Sequence, residues 1–154
     1  SSDLGYGPHG IAVVVECATD NPTRTVANIR MYFTRANGSL GKTGSLDFLF
    51  ERKGIFKLAK NDLNVEELEL DLIDFGAEEV FEDEGEIFIY TSFVNYGAMQ
   101  KALEEKKMEV LSTELQRIPV NTVQLTEEQM AEVEAMIEKI EDDEDVQGVY
   151  HNMA

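Results

Sequence analysis

The stretch IAVVVECATDNPTRTVANIRMYFTRAN, residues 11–37, contains the clearest structural signals in the chain. In residues 11–17 apolar side chains recur at every second position, a period that predicts a β-strand. Asn21 is a suitable helix N-cap, and Pro22 fits the first helical position, where its missing N–H is not needed. Apolar residues three and four apart then predict a helix that ends at Gly38 in a left-handed turn.

The next segment, residues 44–60, predicts a β-hairpin. Leu46, Phe48 and Phe50 alternate along its first strand, and Gly54 lies at the expected turn. The two phenylalanines could stack on nucleic-acid bases if their sheet face were open. The alternative is that both rings belong to the core beneath two helices.

Residues 64–118 predict a second set of elements: a helix capped by Asn64, a hairpin that turns near Glu84 and Gly85, another helix and a strand. Thr126 and Gln129 then form a capping box, which predicts a helix in the tail and a final short strand after it.

The elements predicted up to residue 60 have the order β-α-β-β. The helix and strand predicted in the tail complete the order β-α-β-β-α-β of the split βαβ fold. The sequence therefore predicts an α+β protein with two ferredoxin-like (split βαβ) lobes, the second inserted into the first. We expect the first lobe to comprise residues 1–62 plus 119–154, and an inserted acidic lobe to comprise residues 63–118.

Charge is distributed unevenly along the chain, whose formal net charge is −18. Residues 1–60 carry +3 and residues 61–154 carry −21. A polyanion would be repelled by the second segment and tolerated only by the first. The predicted first helix exposes Arg24 and Arg35, and Lys42 follows it, so these cations form a candidate patch for phosphate-backbone contacts. A merely solvated helix surface is the alternative.

The stretch ANGSLGKT, residues 36–43, approaches the pattern of a phosphate-binding loop. That chemistry requires a strand before the loop and a helix after it, because the helix N-terminus attracts the phosphates. Here a helix precedes and a strand follows, so we expect a glycine-rich turn instead of a nucleotide site.

Other chemistry has little support in the sequence. His9, His151 and the single Cys17 form no metal-ligand cluster and no nucleophile–base pattern. The acidic runs 82–86 and 141–145 lack the spacing of a calcium loop. We expect no enzyme activity, no metal or cofactor, no small-molecule substrate and no membrane span.

Three stretches resemble signature sequences of the YebC/PmpR family: YGPHGIAVVVECATDNPTRTVANIR (6–30), GSLGKTGSLDFLFERKG (38–54) and DVQGVYHN (145–152). The resemblance implies two ferredoxin-like lobes and no catalysis or cofactor. It also implies a cytoplasmic regulator, or one of the mitochondrial matrix in a eukaryote. Such a regulator would bind promoter DNA or act on the ribosome as a translation factor.

Family members also begin with a basic helical domain that has no counterpart in this sequence. The resemblance implies that contact with promoter DNA or ribosomal RNA depends mainly on that domain, with ribosomal proteins as further partners. The residues expected to contribute here are Asn21, Arg24, Thr25, Arg30, Arg35 and Lys42. The alternative is an acidic protein-interaction module without direct nucleic-acid contact.

Overall fold

The computed structural model describes residues 2–42 and 47–154, which form two compact units. Unit 1 comprises Ser1–Glu51 and Ile118–Ala154, and unit 2 comprises Arg52–Arg117, so the second is inserted into the first in sequence. Each unit combines helices with an antiparallel sheet, which confirms the predicted α+β class with two ferredoxin-like lobes. Among the described residues, no helix is both long and apolar enough to span a membrane.

In the residues that the structure describes, unit 1 has a four-stranded sheet and two α-helices. Its elements are β1 (Ser2–Tyr6), β2 (Ala12–Cys17), α1 (Pro22–Arg35), β3 (Ser39–Leu40), α4 (Glu127–Glu141) and β8 (Val146–His151). The strand order is β3-β1-β2-β8, and each neighbouring pair is antiparallel.

Strand β2 is buried on both faces. Ile11, Val13, Val15 and Cys17 face the core formed with α1 and α4, as the period-two pattern predicted. The alternate residues belong to a second apolar cluster, which contains Leu4, Ala12, Val14 and Phe50. Because apolar side chains cover both of its faces, β2 is the centre of unit 1.

Helix α1 begins as predicted and ends differently. The Asn21 side chain accepts a hydrogen bond of 3.1 Å from the backbone N–H of Arg24, which confirms the cap. At the other end the left-handed residue is Asn37, with φ of 63°, and not Gly38 as predicted. Glycine is needed at position 38 for another reason: a Cβ there would lie 2.2 Å from the carbonyl oxygen of Tyr6.

Unit 2 is built on the second sheet. Its elements are β4 (Phe50–Ala59), α2 (Val65–Leu72), β5 (Ala77–Asp83), β6 (Glu86–Ser92), α3 (Tyr96–Glu105) and β7 (Val110–Pro119), and the ends of β4 and β7 extend past the bounds of the unit. The strand order is β5-β6-β4-β7. The order of elements along the chain is β-α-β-β-α-β, which is the ferredoxin-like pattern.

The hairpin predicted for residues 44–60 is wrong. Strand β4 runs without a turn through Gly54 and pairs with β6. Glycine at position 54 permits close packing, since a Cβ would lie 2.5 Å from a ring carbon of Tyr96. Because β4 pairs in the second sheet, most of this strand belongs to unit 2, which begins at Arg52.

The predicted placement of Phe48 and Phe50 on one strand also differs from the structure. Phe48 lies in a short 3₁₀ turn and is 75% exposed, whereas Phe50 is buried in unit 1. Leu46, placed on the same predicted strand, lies outside the described residues.

Several local predictions in residues 64–141 are confirmed. Asn64 caps α2, and Thr126 and Gln129 form the predicted capping box at the start of α4. The hairpin between β5 and β6 turns at Glu84 and Gly85, both of which have positive φ angles. Two successive positive φ values are typical of the tight turns that match the twist of a hairpin.

Candidate nucleic-acid interface

Helix α1 is the element on which the expected contact residues converge. It contains no acidic residue, and its three arginines, Arg24, Arg30 and Arg35, are exposed. Lys42, in the segment after β3, is exposed as well. The structure therefore places five of the six expected residues at the surface of unit 1: these four cations and Asn21.

Arg24 is held by carboxylates of its own unit. Its Nη2 lies 3.1 Å from Oδ2 of Asp145, the residue before β8, and 3.8 Å from Oδ1 of Asp20. The hydrogen bond and the negative charge of Asp145 raise the pKa of the Arg24 guanidinium. The guanidinium is thus partly neutralised before any phosphate approaches.

Thr25 and Asn21 stabilise the start of α1. Thr25 is buried, and its hydroxyl donates a hydrogen bond of 2.8 Å to Oδ2 of Asp145. This bond, followed by that from Arg24, lowers the pKa of the Asp145 carboxyl. Asn21 accepts the capping hydrogen bond from Arg24. The positions of both side chains are therefore explained by the local structure.

A second acid of the same segment contacts the far end of α1. The Tyr32 hydroxyl donates a hydrogen bond of 2.8 Å to Oδ2 of Asp143. Burial, and then this bond to Asp143, raise the pKa of the Tyr32 hydroxyl. The segment between α4 and β8 thus brings carboxylates to both ends of the basic helix.

The net charges of the folded units correct the interpretation of residues 1–60 as the cationic part of the protein. Unit 1 has five lysines and arginines against fifteen acids, a net charge of −10; unit 2 has eight against sixteen, a net charge of −8. The +3 of residues 1–60 therefore does not describe a folded surface. Adding the charges of each predicted lobe, tail included, would have revealed this from the sequence.

A groove of about 480 Å³ lies between α1 and α4. Its lining carries charges of both signs, with Arg35 and Lys139 opposed by Glu132 and Asp142, above an apolar floor that includes Met136. The groove therefore has no single charge preference. In the described part of the chain, no group of three or more His, Cys, Asp and Glu residues could hold a metal ion.

The described part of the ANGSLGKT stretch lies after α1 and includes β3. A helix precedes the loop, as predicted from the sequence, so the loop follows the C-terminus of α1, the end whose dipole disfavours phosphate. This arrangement lacks the dipole that favours phosphate binding in nucleotide sites.

Comparison with known proteins identifies the relatives of this chain. The family described as TACO1/YebC second and third domain matches residues 4–153. Proteins from Cytophaga hutchinsonii and Parabacteroides distasonis, each named a probable transcriptional regulatory protein, are 62% and 57% identical over 150 residues. Those matches cover 97% of this chain and 63% and 62% of the relatives, so the chain spans less than two thirds of their length.

A solved structure supports the same assignment. The crystal structure of a conserved hypothetical protein from Aquifex aeolicus matches with a TM-score of 0.81 at 34% identity. The match covers 100% of this chain and 64% of the other. The chain therefore belongs to the TACO1/YebC family and corresponds to its second and third domains.

Proposed function

We propose that the protein is a non-enzymatic, cytoplasmic regulator of gene expression, which contacts promoter DNA or acts on the ribosome as a translation factor. Family membership and the names of the curated relatives support the regulatory assignment. The chain spans less than two thirds of the length of those relatives. We therefore assign to it only part of the contact with DNA or the ribosome.

Within this chain, the proposed contact with phosphate is the outer side of α1 together with Lys42. The supporting observation is that α1 exposes arginines and contains no acid, in a unit whose net charge is otherwise negative. Arg30, Arg35 and Lys42 are the main cations of this surface. Arg24 contributes less because Asp145 already pairs with it, while Asn21 and Thr25 hold the start of the helix in place.

Such a surface would position the protein on a phosphate backbone without reading sequence. Each cation that meets a phosphate releases counterions, so binding would weaken steeply as salt is added. The carboxylates of unit 1 would limit the affinity of this surface for phosphate. A weak contact of this kind suits a protein that also binds its target more strongly through another surface.

A second candidate is an acidic protein-interaction module that makes no direct contact with nucleic acid. The net charges of −10 and −8 on the two units, and the pairing of Arg24 with Asp145, favour this alternative. Basic ribosomal proteins are partners with the complementary charge.

The two candidates differ in what happens when α1 loses its cations. The variant Arg30→Gln/Arg35→Gln removes two positive charges from the proposed surface. The matched control Lys101→Gln/Lys106→Gln removes two exposed charges from unit 2. Each protein is tested for co-sedimentation with ribosomes and for binding to duplex DNA at several salt concentrations.

If α1 contacts phosphate, the first variant loses affinity, and its slope of log affinity against log salt becomes shallower by about 2. The control then binds like the unchanged protein. If the affinities and slopes of both variants equal those of the unchanged protein, the α1 surface is not the phosphate contact. Unchanged co-sedimentation of the Arg30→Gln/Arg35→Gln variant with ribosomes, with no binding of duplex DNA by any of the proteins, would favour the protein-interaction candidate.

A further inference from the structure

The second sheet has one face that the helices of unit 2 do not cover. Along β6, Ile87 and Ile89 are fully buried in the core that includes residues of α2 and α3. The residues between and after them, Phe88 and Tyr90, are only partly buried. Because successive side chains of a strand point to opposite faces, these two aromatic rings lie on the other side of the sheet.

Three aromatic rings cluster on this face. Phe81 of β5 lies directly opposite Phe88, and their ring centroids are 5.4 Å apart with the planes 15° from parallel. The Phe81 and Tyr90 centroids are 5.5 Å apart at 51°. Phe81, Phe88 and Tyr90 are called the aromatic platform below. Phe81 is 38% exposed, so the platform is accessible to a partner.

Carboxylates of β5 and β6 lie beside the aromatic platform. Glu79 pairs with Tyr90 across the strands, and Asp83 pairs with Glu86 at the end of the hairpin. After burial, the charges of Glu79 and Glu114 raise the pKa of the Tyr90 hydroxyl.

Lysines near the platform do not reverse this charge. Lys57 lies 3.3 Å from Glu86, and Lys53 forms an ion pair with Glu78. The whole unit has a net charge of −8. The platform therefore offers apolar ring faces in a negative environment.

We propose that the aromatic platform binds an arginine-containing basic segment of a partner polypeptide. A guanidinium group stacks on aromatic rings and forms paired hydrogen bonds with carboxylates, so arginine matches both features of this face. Unit 2 already contains the same kind of contact: the guanidinium carbon of Arg52 lies 3.8 Å from the ring centroid of Phe93.

Two other occupants fit this face less well. Nucleic-acid bases stack on exposed aromatic rings, but their phosphates would meet the surrounding carboxylates. A second copy of the chain would bring another strongly acidic surface to the same place. The platform shares no residue with the α1 surface, so this inference stands independently of the proposed phosphate contact.

The test is a calorimetric titration of the full chain with a synthetic peptide of alternating arginine and glycine. A lysine peptide of equal charge and a single-stranded oligoribonucleotide serve as comparison ligands. Phe81→Leu removes a platform ring but keeps an apolar side chain. Phe75→Leu is the matched control, because Phe75 is also 38% exposed and lies outside the platform.

We expect the arginine peptide to bind more tightly than the lysine peptide, and Phe81→Leu to weaken its binding by about two- to fivefold. Phe75→Leu should leave the affinity unchanged. A second pair, Glu79→Gln with the exposed control Glu69→Gln, tests the carboxylates without altering a ring, and only Glu79→Gln should weaken binding.

Equal binding of the two peptides would overturn the proposal, since simple charge attraction would then explain it. Equal losses in the Phe81 and Phe75 variants would overturn it as well. Tighter binding of the oligoribonucleotide, sensitive to Phe81→Leu, would show that the platform is a base-stacking surface instead.

Discussion

The two sheets share an architecture and differ in what covers their second face. In unit 1, residues 12–15 of β2 are all buried, because Leu4 and Phe50 join Ala12 and Val14 on the side away from the helices. In unit 2, buried and half-buried residues alternate along β6. Burial on both faces leaves the apolar side chains of β2 little accessible surface, whereas Phe81, Phe88 and Tyr90 of the second sheet stay partly exposed.

The same contrast extends to the charges. In unit 1, the acids that precede β8 bind groups of α1 itself, so part of their charge is satisfied within the fold. In unit 2, Glu79 lies opposite the partly buried ring of Tyr90. Asp143 and Asp145 of unit 1 are therefore bound within the fold, whereas Glu79 of unit 2 lies beside the aromatic platform.

The largest difference should come from deleting one leucine side chain in each unit. Leu4, 1% exposed in the second cluster of unit 1, should cost about 3 kcal/mol of unfolding free energy when changed to alanine, because a cavity remains. Leu111, 48% exposed on β7, should cost less than about 1 kcal/mol for the same change. Urea denaturation followed by circular dichroism measures both. Equal costs would show that the outer face of the first sheet is not closed.

The next effect concerns the buried side-chain amide of Asn152, which lies next to the first residue of β2. Asn152 accepts a hydrogen bond of 2.9 Å from the backbone N–H of Ala12. Asn152→Ala leaves that buried donor unsatisfied and should cost about 1–3 kcal/mol by the same measurement. Gln147→Ala, an exposed position in β8, is the control and should have little effect. An unchanged unfolding free energy in Asn152→Ala would mean that water reaches the backbone N–H of Ala12.

Much of this fold follows from local signals, and the errors have a common cause. The caps at Asn21, Asn64 and Thr126 were predictable because each helix start is fixed by its own few residues. The assignment of β4 was not, because its alternating pattern around Gly54 fits a hairpin and a single long strand equally well. Pairing with β6 resolves this ambiguity, and that contact is distant in sequence.

The candidate site also combines features that the sequence predicts locally with contacts between residues distant in sequence. Exposure of the α1 arginines follows from helical periodicity, whereas the pairing of Arg24 with Asp145 joins residues 121 apart. The aromatic platform had a sequence signal, since Phe88 and Tyr90 alternate with Ile87 and Ile89. An alternating strand of this kind does not by itself show which of its faces the helices cover.

A smaller effect should appear in the pH dependence of unit 1. Because the folded-state pKa of Asp145 is lowered, its stabilisation is complete above the ordinary value of about 3.9 and is lost as pH falls through the lower folded value. Asp145→Asn should therefore be less stable than the unchanged protein at neutral pH, and the gap should narrow in acid. Denaturation curves across this range provide the measurement, and a gap independent of pH would contradict the assignment.

The smallest expected effect is the reactivity of Cys17. Burial, and then nearby acids including Asp3 and Asp143, raise the pKa of its thiol to about 11, so little thiolate forms near neutral pH. We expect iodoacetamide to modify the folded chain far more slowly than the urea-unfolded chain. Mass spectrometry of the alkylated protein measures both rates, and similar rates would show that this face of β2 is accessible.

The contrast between a closed first sheet and an open second sheet is best tested by NMR, with the arginine–glycine peptide titrated into the labelled chain. The account predicts that chemical-shift changes concentrate at Phe81, Phe88, Tyr90 and their neighbours on β5 and β6, while β2 and α1 stay unchanged. Changes concentrated on α1 or β2, with none on β6, would contradict it.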